Sequence, residues 1–265
     1  MSRVFAGYAR AYDLIYQDKD YAGEAAYVGR LLRRFHPAAK TLIEFGSGTG
    51  RHALHLARQG YKVCGVDRSE EMLARAKARR AALSSGSRRV MRFVRGDIRG
   101  VRLARRFDAA LALFHVMSYQ AADEDLRAAF LTARRHVREG GLFIFDAWHG
   151  PAVLAQRPGV RIKRVRDGRM EVLRRAQPVL FPDRDAVEVK YQLRIKWKTT
   201  GKREEVRETH LMRYVFAPEI ARLAQDCGFK VLSAVEWLTG RPLGRRVWSA
   251  CFVLRRLGAG IDAGI

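Results

Sequence analysis

A strand, a glycine-rich turn and a helix follow one another early in the chain, and this combination constrains the fold more than any other feature. Residues 41–45 are an apolar, β-forming run, long enough for one buried parallel strand. The run leads into Gly46-Ser-Gly-Thr-Gly50, and residues 51–59 then carry apolar side chains at helical spacing. This order predicts the first half of a mononucleotide-binding βαβ unit. Its glycines let a ligand approach the main chain, and they allow positive φ angles.

The second predicted strand, residues 61–66, supplies an acidic group for this unit. It ends in Asp67, about twenty residues beyond the glycines, where a carboxylate can accept hydrogen bonds from a ribose diol. A dinucleotide fingerprint would need glycine in place of Arg51, and the Gly-Lys-Ser/Thr of a P-loop is absent. Glu44 before G-x-G-x-G suits a ligand with adenosine but no pyrophosphate. Here the chain resembles the class I S-adenosylmethionine-dependent methyltransferases; a glycine turn in another α/β domain is the alternative.

Two further elements carry residues for this cofactor. Ser69 is the predicted N-cap of a helix over residues 69–83, and Met72 either rests on an adenine ring or packs in the core. Asp97, after a third strand at 90–94, would reach the adenine amine, unless it is an ordinary turn residue. We predict that S-adenosyl-L-methionine is bound by Tyr12, Tyr21, Glu44, Gly46, Ser47, Gly48, Gly50, Asp67, Arg68, Met72, Asp97, Ile98, Leu113 and Phe114.

Residues 5–21 are dense in tyrosine, and an amphipathic helix at 22–35 follows them. Tyr8, Tyr12 and Tyr16 have four-residue spacing, so they form one helical stripe that could pack on the core. Alternatively, an aromatic segment of this kind closes over a bound cofactor and excludes water. We favour this lid, because Tyr12-Asp13 followed by Lys19-Asp20-Tyr21 resembles small-molecule methyltransferases.

The chain of 265 residues has a formal net charge of +24, a balance that can indicate a nucleic-acid binder. The basic residues are dispersed along the chain, which favours a solvated basic surface over a dedicated nucleic-acid face. No apolar run has the length of a signal peptide core or a membrane span, so we expect a cytoplasmic protein without membrane contact. The three cysteines lack metal or redox spacing, and no metal site is predicted.

The fourth predicted strand, residues 107–114, leads into His115-Val-Met-Ser-Tyr119. Because ligands bind outside the carboxyl ends of the strands at the switch point, this loop should face the sulfonium centre. It lacks the Asn/Asp-Pro-Pro-aromatic sequence of base amino methyltransferases, and it lacks a cysteine for attack on a pyrimidine carbon. Both absences argue against a base methyltransferase.

A helix at 123–137 and a fifth strand at 142–145 complete the α/β pattern, and then the composition changes. Residues 151–216 contain partly alternating runs that predict three or four antiparallel strands. A helix at 218–227 and strands at 230–237 and 247–254 follow. The predicted fold is a Rossmann-like α/β methyltransferase sheet, mostly parallel with an antiparallel last strand. Its domain comprises residues 1–150 and 217–265, and 151–216 form an inserted antiparallel subdomain that covers the substrate.

Over nearly its whole length the chain is similar to sugar N-methyltransferases that act on nucleotide-linked amino sugars. Besides the motifs above, Trp148, His210 and an Arg in the Gly244-Arg245 turn carry this resemblance. The chain departs from the family at Glu44, which replaces Asp, and at Asp146-Ala147, which replaces Glu-Pro; His115 and Met117 replace small or aliphatic residues.

The resemblance implies a small-molecule acceptor, with Tyr119, His210 and His115 as catalytic residues. Trp148 and Arg245 would bind the substrate, and Arg245 or Arg246 would supply paired donors to a nucleotide-sugar diphosphate. The alternatives are an RNA-directed methyltransferase that docks through its basic surface and a cofactor-binding protein without catalysis. The acceptor, the choice between nitrogen and oxygen, the number of transfers and a homodimer stay open at this point.

Overall fold

The computed structural model describes residues 8–258, so the start of the tyrosine-rich segment and the two ends of the predicted methyltransferase domain lie outside the described residues. Within that range the helices are α1 (Ala9–Ile15), α2 (Tyr21–Phe35), α3 (Arg51–Arg58), α4 (Glu70–Ala81), α5 (Ser85–Arg89), α6 (Asp123–His136), α7 (Gly150–Gln156) and α8 (Ala217–Asp226). The strands are β1 (Thr41–Phe45), β2 (Lys62–Asp67), β3 (Met91–Arg95), β4 (Phe107–Ala112), β5 (Val137–His149), β6 (Arg161–Arg166), β7 (Met170–Phe181), β8 (Ala186–Trp197), β9 (Arg203–Val215), β10 (Phe229–Glu236) and β11 (Ser249–Arg256).

Seven strands form the main sheet in the order β3-β2-β1-β4-β5-β11-β10. Strands β1 to β5 are parallel, whereas β11 runs antiparallel to β5 and to β10. The strand order reverses between β1 and β4, so the carboxyl ends of these strands flank the crevice where such sheets bind ligands. Apolar clusters fill both faces of the sheet. The predicted Rossmann-like fold is confirmed.

Strands β6 to β9 form a second, antiparallel sheet in sequence order. It joins the main sheet where Tyr214 and Val215 of β9 pair in parallel with Trp148 and His149 of β5. The antiparallel sheet therefore begins at the carboxyl end of β5, next to the crevice. The division of the chain at residues 150 and 217, and the covering role of this sheet, stay predictions.

Local details differ from the predicted boundaries in a few places. Helix α6 ends at His136, and β5 begins at Val137, although we expected the helix to run to 137 and the strand to begin at 142. Gly140 has φ of +73°, and the pairing with β4 is irregular between Phe107 and Ala109, so the glycines interrupt the strand rather than precede it. The predicted N-cap is confirmed, because the Ser69 hydroxyl accepts a hydrogen bond of 3.2 Å from the Met72 amide.

Helix α1 packs against the antiparallel sheet on one side and contacts the glycine turn of the main sheet on the other. Its Leu14 and Ile15 pack with Val172 of β7 and Leu193 of β8 in one apolar cluster, which also contains the three tyrosines of the predicted stripe. On its other side, Asp13 accepts hydrogen bonds from the Thr49 hydroxyl at 2.7 Å and from Arg79 at 3.0 Å. The segment thus packs on the core and also touches the glycine turn. No helix in residues 8–258 is long and apolar enough to cross a membrane.

Candidate active site

The glycine turn has left-handed backbone at each of its glycines: φ is +63° at Gly46, +53° at Gly48 and +74° at Gly50. A Cβ on Gly46 would lie 2.4 Å from Val116 Cγ2, whereas a Cβ on Gly48 would meet no atom within 4 Å. The main chain at Gly48 therefore borders open space at the carboxyl end of β1. This is the opening that close approach of a ligand requires.

The Asp67 carboxylate lies against this turn. Its Oδ2 accepts a hydrogen bond of 2.8 Å from the Gly48 amide, and its Oδ1 accepts one of 2.8 Å from the Ser69 amide. Burial raises the pKa of Asp67, although these amides act in the opposite direction. Each carboxylate oxygen has a second lone pair, so the group can also accept from two hydroxyls. The geometry suits the predicted ribose contact.

Glu44 is a buried acid whose Oε2 has no hydrogen-bond partner among residues 8–258. Burial and, second, the nearby charge of Asp67 raise the pKa of Glu44 to about 8. Its Oε1 lies 3.6 Å from His52 Nδ1, and His52 Nε2 lies 2.6 Å from Glu24, which also pairs with Lys19. A buried carboxyl with an unsatisfied oxygen suits a cationic group such as the ammonium of S-adenosylmethionine. These residues therefore fit the cofactor.

Asp97 has a charged partner at the rim of the site. Arg99 donates to its carboxylate from Nε at 3.0 Å and from Nη2 at 2.7 Å, and it contacts Asp125 at 2.8 Å. The Arg99 hydrogen bonds lower the pKa of Asp97. An adenine amine would have to share this carboxylate with Arg99, and the adenine role stays a prediction.

The other predicted cofactor residues differ in burial. The buried ones are Ser47, Met72, Ile98 and Leu113, whereas Arg68 is exposed. Ser47 Oγ has no hydrogen-bond partner among residues 8–258. The same part of the chain contains no group of three His, Cys, Asp or Glu side chains that could hold a metal ion.

The exit from β4 is a strained loop held by Asp146 of β5. Phe114 and His115 both have left-handed backbone, with φ of +66° and +62°. Asp146 accepts hydrogen bonds from their amides at 2.6 and 3.1 Å, and His115 Nδ1 lies 2.8 Å from Asp146 Oδ2. Burial alone would raise the pKa of Asp146, but His115 and the two amides outweigh it and lower the pKa. An ionised Asp146 thus fixes the loop that we expect to face the methyl group.

Aromatic rings from the N-terminal segment lie against this loop. The Tyr16 ring centroid is 5.1 Å from Phe114 and 4.8 Å from Tyr12, and Lys19 Nζ lies 4.3 Å from the Phe114 centroid. The Tyr21 ring lies 4.8 Å from His52. The structure therefore brings the predicted residues Tyr12, Tyr21 and Phe114 to the same side of the crevice as Glu44 and its partners.

Tyr119, His210 and Glu208 are linked by hydrogen bonds, with His210 and Glu208 buried and Tyr119 half-buried. The Tyr119 hydroxyl lies 2.9 Å from His210 Nδ1, and His210 Nε2 lies 3.0 Å from Glu208 Oε2. Glu208 Oε1 accepts a hydrogen bond of 3.0 Å from the Tyr8 amide. Burial raises the pKa of Tyr119 well above its ordinary value. These hydrogen bonds join the β4 exit, the antiparallel sheet and the N-terminal segment.

The two predicted substrate residues occupy different surroundings. The Trp148 ring lies 6.2 Å from His115 and 6.3 Å from Trp248, and its amide donates to Ser118 Oγ at 3.0 Å. Arg245 is exposed on the loop before β11, where its carbonyl accepts from Gln156 at 3.1 Å. Trp148 therefore borders the β4 exit loop, whereas Arg245 is exposed to solvent.

Sequence reasoning missed several residues of this site, namely Glu24, His52 and Glu208, and it treated Asp146 only as a departure from a family. A signal for Glu208 was available. Strand β9 alternates, and its buried residues Glu208, His210 and Met212 share one face. An acid two residues before a predicted catalytic histidine therefore had to lie beside it. No comparable signal marks Glu24 and His52, whose contact crosses 28 residues between two helices.

Comparison with known proteins gives a match to one family model and to relatives that cover most of the chain. A family model described as a methyltransferase domain matches residues 42–141. A dTDP-3-amino-3,4,6-trideoxy-alpha-D-glucopyranose N,N-dimethyltransferase of Streptomyces venezuelae is 29% identical over 240 residues, 90% of this chain and 94% of that protein. A dTDP-4-amino-2,3,4,6-tetradeoxy-D-glucose N,N-dimethyltransferase of Saccharopolyspora spinosa is 27% identical over 90% of each chain.

Solved structures agree with these matches. The structure of an amino pentose methyltransferase from Micromonospora echinaspora with bound S-adenosylmethionine is 25% identical, with a TM-score of 0.72 over 97% of this chain and 99% of that one. Fold, site and relatives together define the class of the protein: it is a class I methyltransferase that uses S-adenosylmethionine. Within this class, it is similar over most of its length to N,N-dimethyltransferases of dTDP-linked amino sugars.

Proposed function

We propose that the enzyme methylates the amino group of a nucleotide-linked amino sugar. The observation that carries the proposal is the Tyr119–His210–Glu208 chain, which places polar, proton-handling groups beside the β4 exit loop. Two of its three members belong to β9, in the part of the chain outside the matched methyltransferase domain. The similarity to the amino-sugar enzymes extends over this part as well, because it covers 90% of the chain.

When bound, S-adenosylmethionine supplies a methyl group activated on a sulfonium sulfur, which an amine accepts through its lone pair while the sulfur keeps the electrons of the broken bond. An ammonium has no lone pair, so the acceptor amine must be neutral, and the proton of the methylated product must leave. The residues of the site have to orient the amine, handle that proton and exclude water.

The hydrogen-bond pattern supports one arrangement of protons along Tyr119, His210 and Glu208. Glu208 as a carboxylate accepts from Nε2–H of His210, so Nδ1 is the acceptor and the Tyr119 hydroxyl donates to it. The phenol oxygen then has lone pairs with which to accept an N–H of the acceptor amine. A proton that passes from the amine to Tyr119 moves the phenol proton to His210, and Glu208 stabilises the resulting imidazolium. Glu208 thus positions His210, and Tyr119 is the residue that touches the amine.

The RNA-directed alternative is less well supported by the arrangement of charge. On the outer face of the antiparallel sheet, Arg207 pairs with Glu205 at 2.6 Å and Lys190 with Glu188 at 3.4 Å. These cations already have acidic partners in their own strand, so they are less available for phosphates. A cytoplasmic location is also part of the proposal, in keeping with three buried free thiols at Cys64, Cys227 and Cys251.

Methyl transfer can be tested on a panel of acceptors. The purified enzyme is incubated with S-adenosylmethionine and dTDP-linked 3-amino and 4-amino sugars, glycine, or bulk RNA, and products are analysed by mass spectrometry. We expect one or two methyl groups on the amine of a dTDP-sugar and none in digested RNA. Methylated nucleotides at a defined RNA position, with unmodified sugars, would disprove the proposal.

A further inference from the structure

Arg174 is a half-buried arginine on the inner face of the antiparallel sheet. It lies on β7 between the buried residues Val172 and Ala176, and this face packs against α1. Its Nη1 lies 3.4 Å from the hydroxyls of both Tyr8 and Tyr16, near the outer limit of a hydrogen bond. Its Nε is buried without a hydrogen-bond partner among residues 8–258. The guanidinium therefore has phenol groups as neighbours, and its Nε–H donor has no acceptor among residues 8–258.

The neighbouring strand carries a lysine on the same face whose charge is compensated by a carboxylate. Lys163 of β6 is the direct cross-strand partner of Arg174, and its Nζ contacts the Asp18 carboxylate at 2.6 Å. Among the ion pairs of residues 8–258 none includes Arg174, although the Asp18 charge that pairs with Lys163 also acts on Arg174 without direct contact. Of these two neighbouring cations, only Lys163 directly contacts a carboxylate.

A guanidinium stays protonated under all ordinary conditions, and a partly desolvated charge without an anion in direct contact is unfavourable. Phenol dipoles and ring faces compensate it only in part; the ring centroids of Tyr16 and Tyr191 lie 5.9 and 5.8 Å from the guanidinium carbon. A ligand oxyanion would supply the missing charge. The planar fork of arginine also matches two oxygens of a phosphate or carboxylate.

The position of Arg174 connects it with both parts of the active site. Tyr16, one contact away, has its ring 5.1 Å from Phe114 in the β4 exit loop. Tyr191, also one contact away, has its ring 4.7 Å from His210. The Tyr16 ring therefore lies between Arg174 and the β4 exit loop. The Tyr191 ring lies between Arg174 and the hydrogen bonds that link Tyr119, His210 and Glu208. A molecule whose amine reaches Tyr119 can carry an anionic group at this distance.

We infer that Arg174 binds a phosphoryl oxygen of the methyl acceptor. The inference rests on the proposed function for the identity of the oxyanion, the diphosphate of a nucleotide-linked sugar. It differs from the prediction made for Arg245, which lies exposed on the loop before β11. Arg174 is a binding residue in this role, and its partial desolvation before the ligand arrives strengthens the contact.

The inference can be tested by calorimetric titration of thymidine diphosphate into the full-length enzyme saturated with S-adenosylhomocysteine. We expect Arg174→Met to raise the dissociation constant for thymidine diphosphate about tenfold or more, and Arg174→Lys to raise it less, because the charge remains but the fork is lost. The matched control is Arg175→Met, since Arg175 is exposed on the opposite face of the same strand. The affinity for S-adenosylhomocysteine alone should be unchanged in all three variants.

Four outcomes would overturn the inference: wild-type affinity in Arg174→Met, a loss confined to Arg175→Met or Arg245→Met, an equal loss of S-adenosylhomocysteine affinity, or no binding of thymidine diphosphate to the wild type. Circular dichroism checks that each variant is folded. The proposed function fails separately, when the wild type transfers no methyl group to any dTDP-linked amino sugar. Thymidine diphosphate binding that depends on Arg174 would then still establish the oxyanion site.

Discussion

The two halves of the active site are held together in different ways. The cofactor half consists of the glycine turn with Glu44 and Asp67, and its central hydrogen bond joins Gly48 to Asp67 across 19 residues. The acceptor half consists of Tyr119, His210 and Glu208. Here Tyr119 and His210 are separated by 91 residues, and the Tyr8 amide and Glu208 by 200.

The chemical groups differ as well. In the cofactor half, main-chain amides hold a carboxylate, so the geometry follows from the backbone of one βαβ unit. In the acceptor half, side chains of the β4 exit and of β9 hold one another, and the N-terminal segment contributes only the Tyr8 amide. A cofactor site held by main-chain amides can serve the same cofactor in many enzymes. An acceptor site held by side chains can change its acceptor when those side chains are substituted. Variants that affect only one half test this separation.

A large effect is expected in the acceptor half. His210→Ala should lower turnover about 10²-fold or more, because the tyrosine loses its proton acceptor, while affinity for S-adenosylhomocysteine stays unchanged. Stopped assays and calorimetry measure the two quantities. Thr209→Ala is the matched control, since Thr209 is the preceding residue on the exposed face of β9. Equal losses of turnover and cofactor affinity in His210→Ala would show that the halves are not separable.

An effect of at least similar size is expected in the cofactor half. Asp67→Ala should weaken binding of S-adenosylhomocysteine by about 1.5–3 kcal/mol for each charged hydrogen bond lost, and it also leaves the Gly48 and Ser69 amides without their acceptor. Asp67→Asn keeps the shape and should lose less. Calorimetry of both variants gives the dissociation constants directly. If both bind as tightly as the wild type, the ribose contact of Asp67 is wrong.

The smallest effect concerns the stability of the cofactor half. The pKa of Glu44 is raised to about 8 in the folded protein from an ordinary value of 4.5, so the folded state keeps a proton that the unfolded chain loses. The stability from this proton is fully present below pH 4.5 and is lost as the pH rises to about 8. Glu44→Gln removes this dependence.

Thermal unfolding of the cofactor-free wild type and Glu44→Gln between these pH values measures the difference. The melting temperature of the glutamine variant should rise relative to the wild type as the pH increases. Saturation with S-adenosylhomocysteine should reduce this difference, because a bound ammonium favours the ionised glutamate. A constant difference across the pH range would contradict the raised pKa.

The same separation explains which features the sequence could predict. The strand Thr41–Phe45, the positive φ angles of the glycines and the N-cap Ser69 are local, and the structure confirms them. The Rossmann-like sheet, mostly parallel with an antiparallel last strand, was also predicted, from the glycine motif and the resemblance to class I methyltransferases. Helices α5 and α7 were not predicted, because five and seven residues are too short to show a helical period.

Contacts between side chains that are distant in the chain could not be predicted from the sequence. The composition of β7 identifies Arg174 and Arg175 as two adjacent arginines, but only the packed sheet shows that one is half-buried and the other exposed. Likewise, Asp146 reads as an ordinary residue after a strand, whereas in the structure it holds two left-handed residues of the β4 exit. Both facts depend on which elements meet in space.

The antiparallel pairing of β8 with β9 limits how the length of the turn between these strands can change. His210 pairs with Val189, and the intervening turn fixes which residues of β9 lie on the inner face. Deletion of one residue from the turn between Trp197 and Arg203 would bring Leu211 or Thr209 to the position of His210, whereas deletion of two would restore an inward-facing residue of the original set. Turns on this sheet can therefore vary by even numbers far more readily than by odd ones.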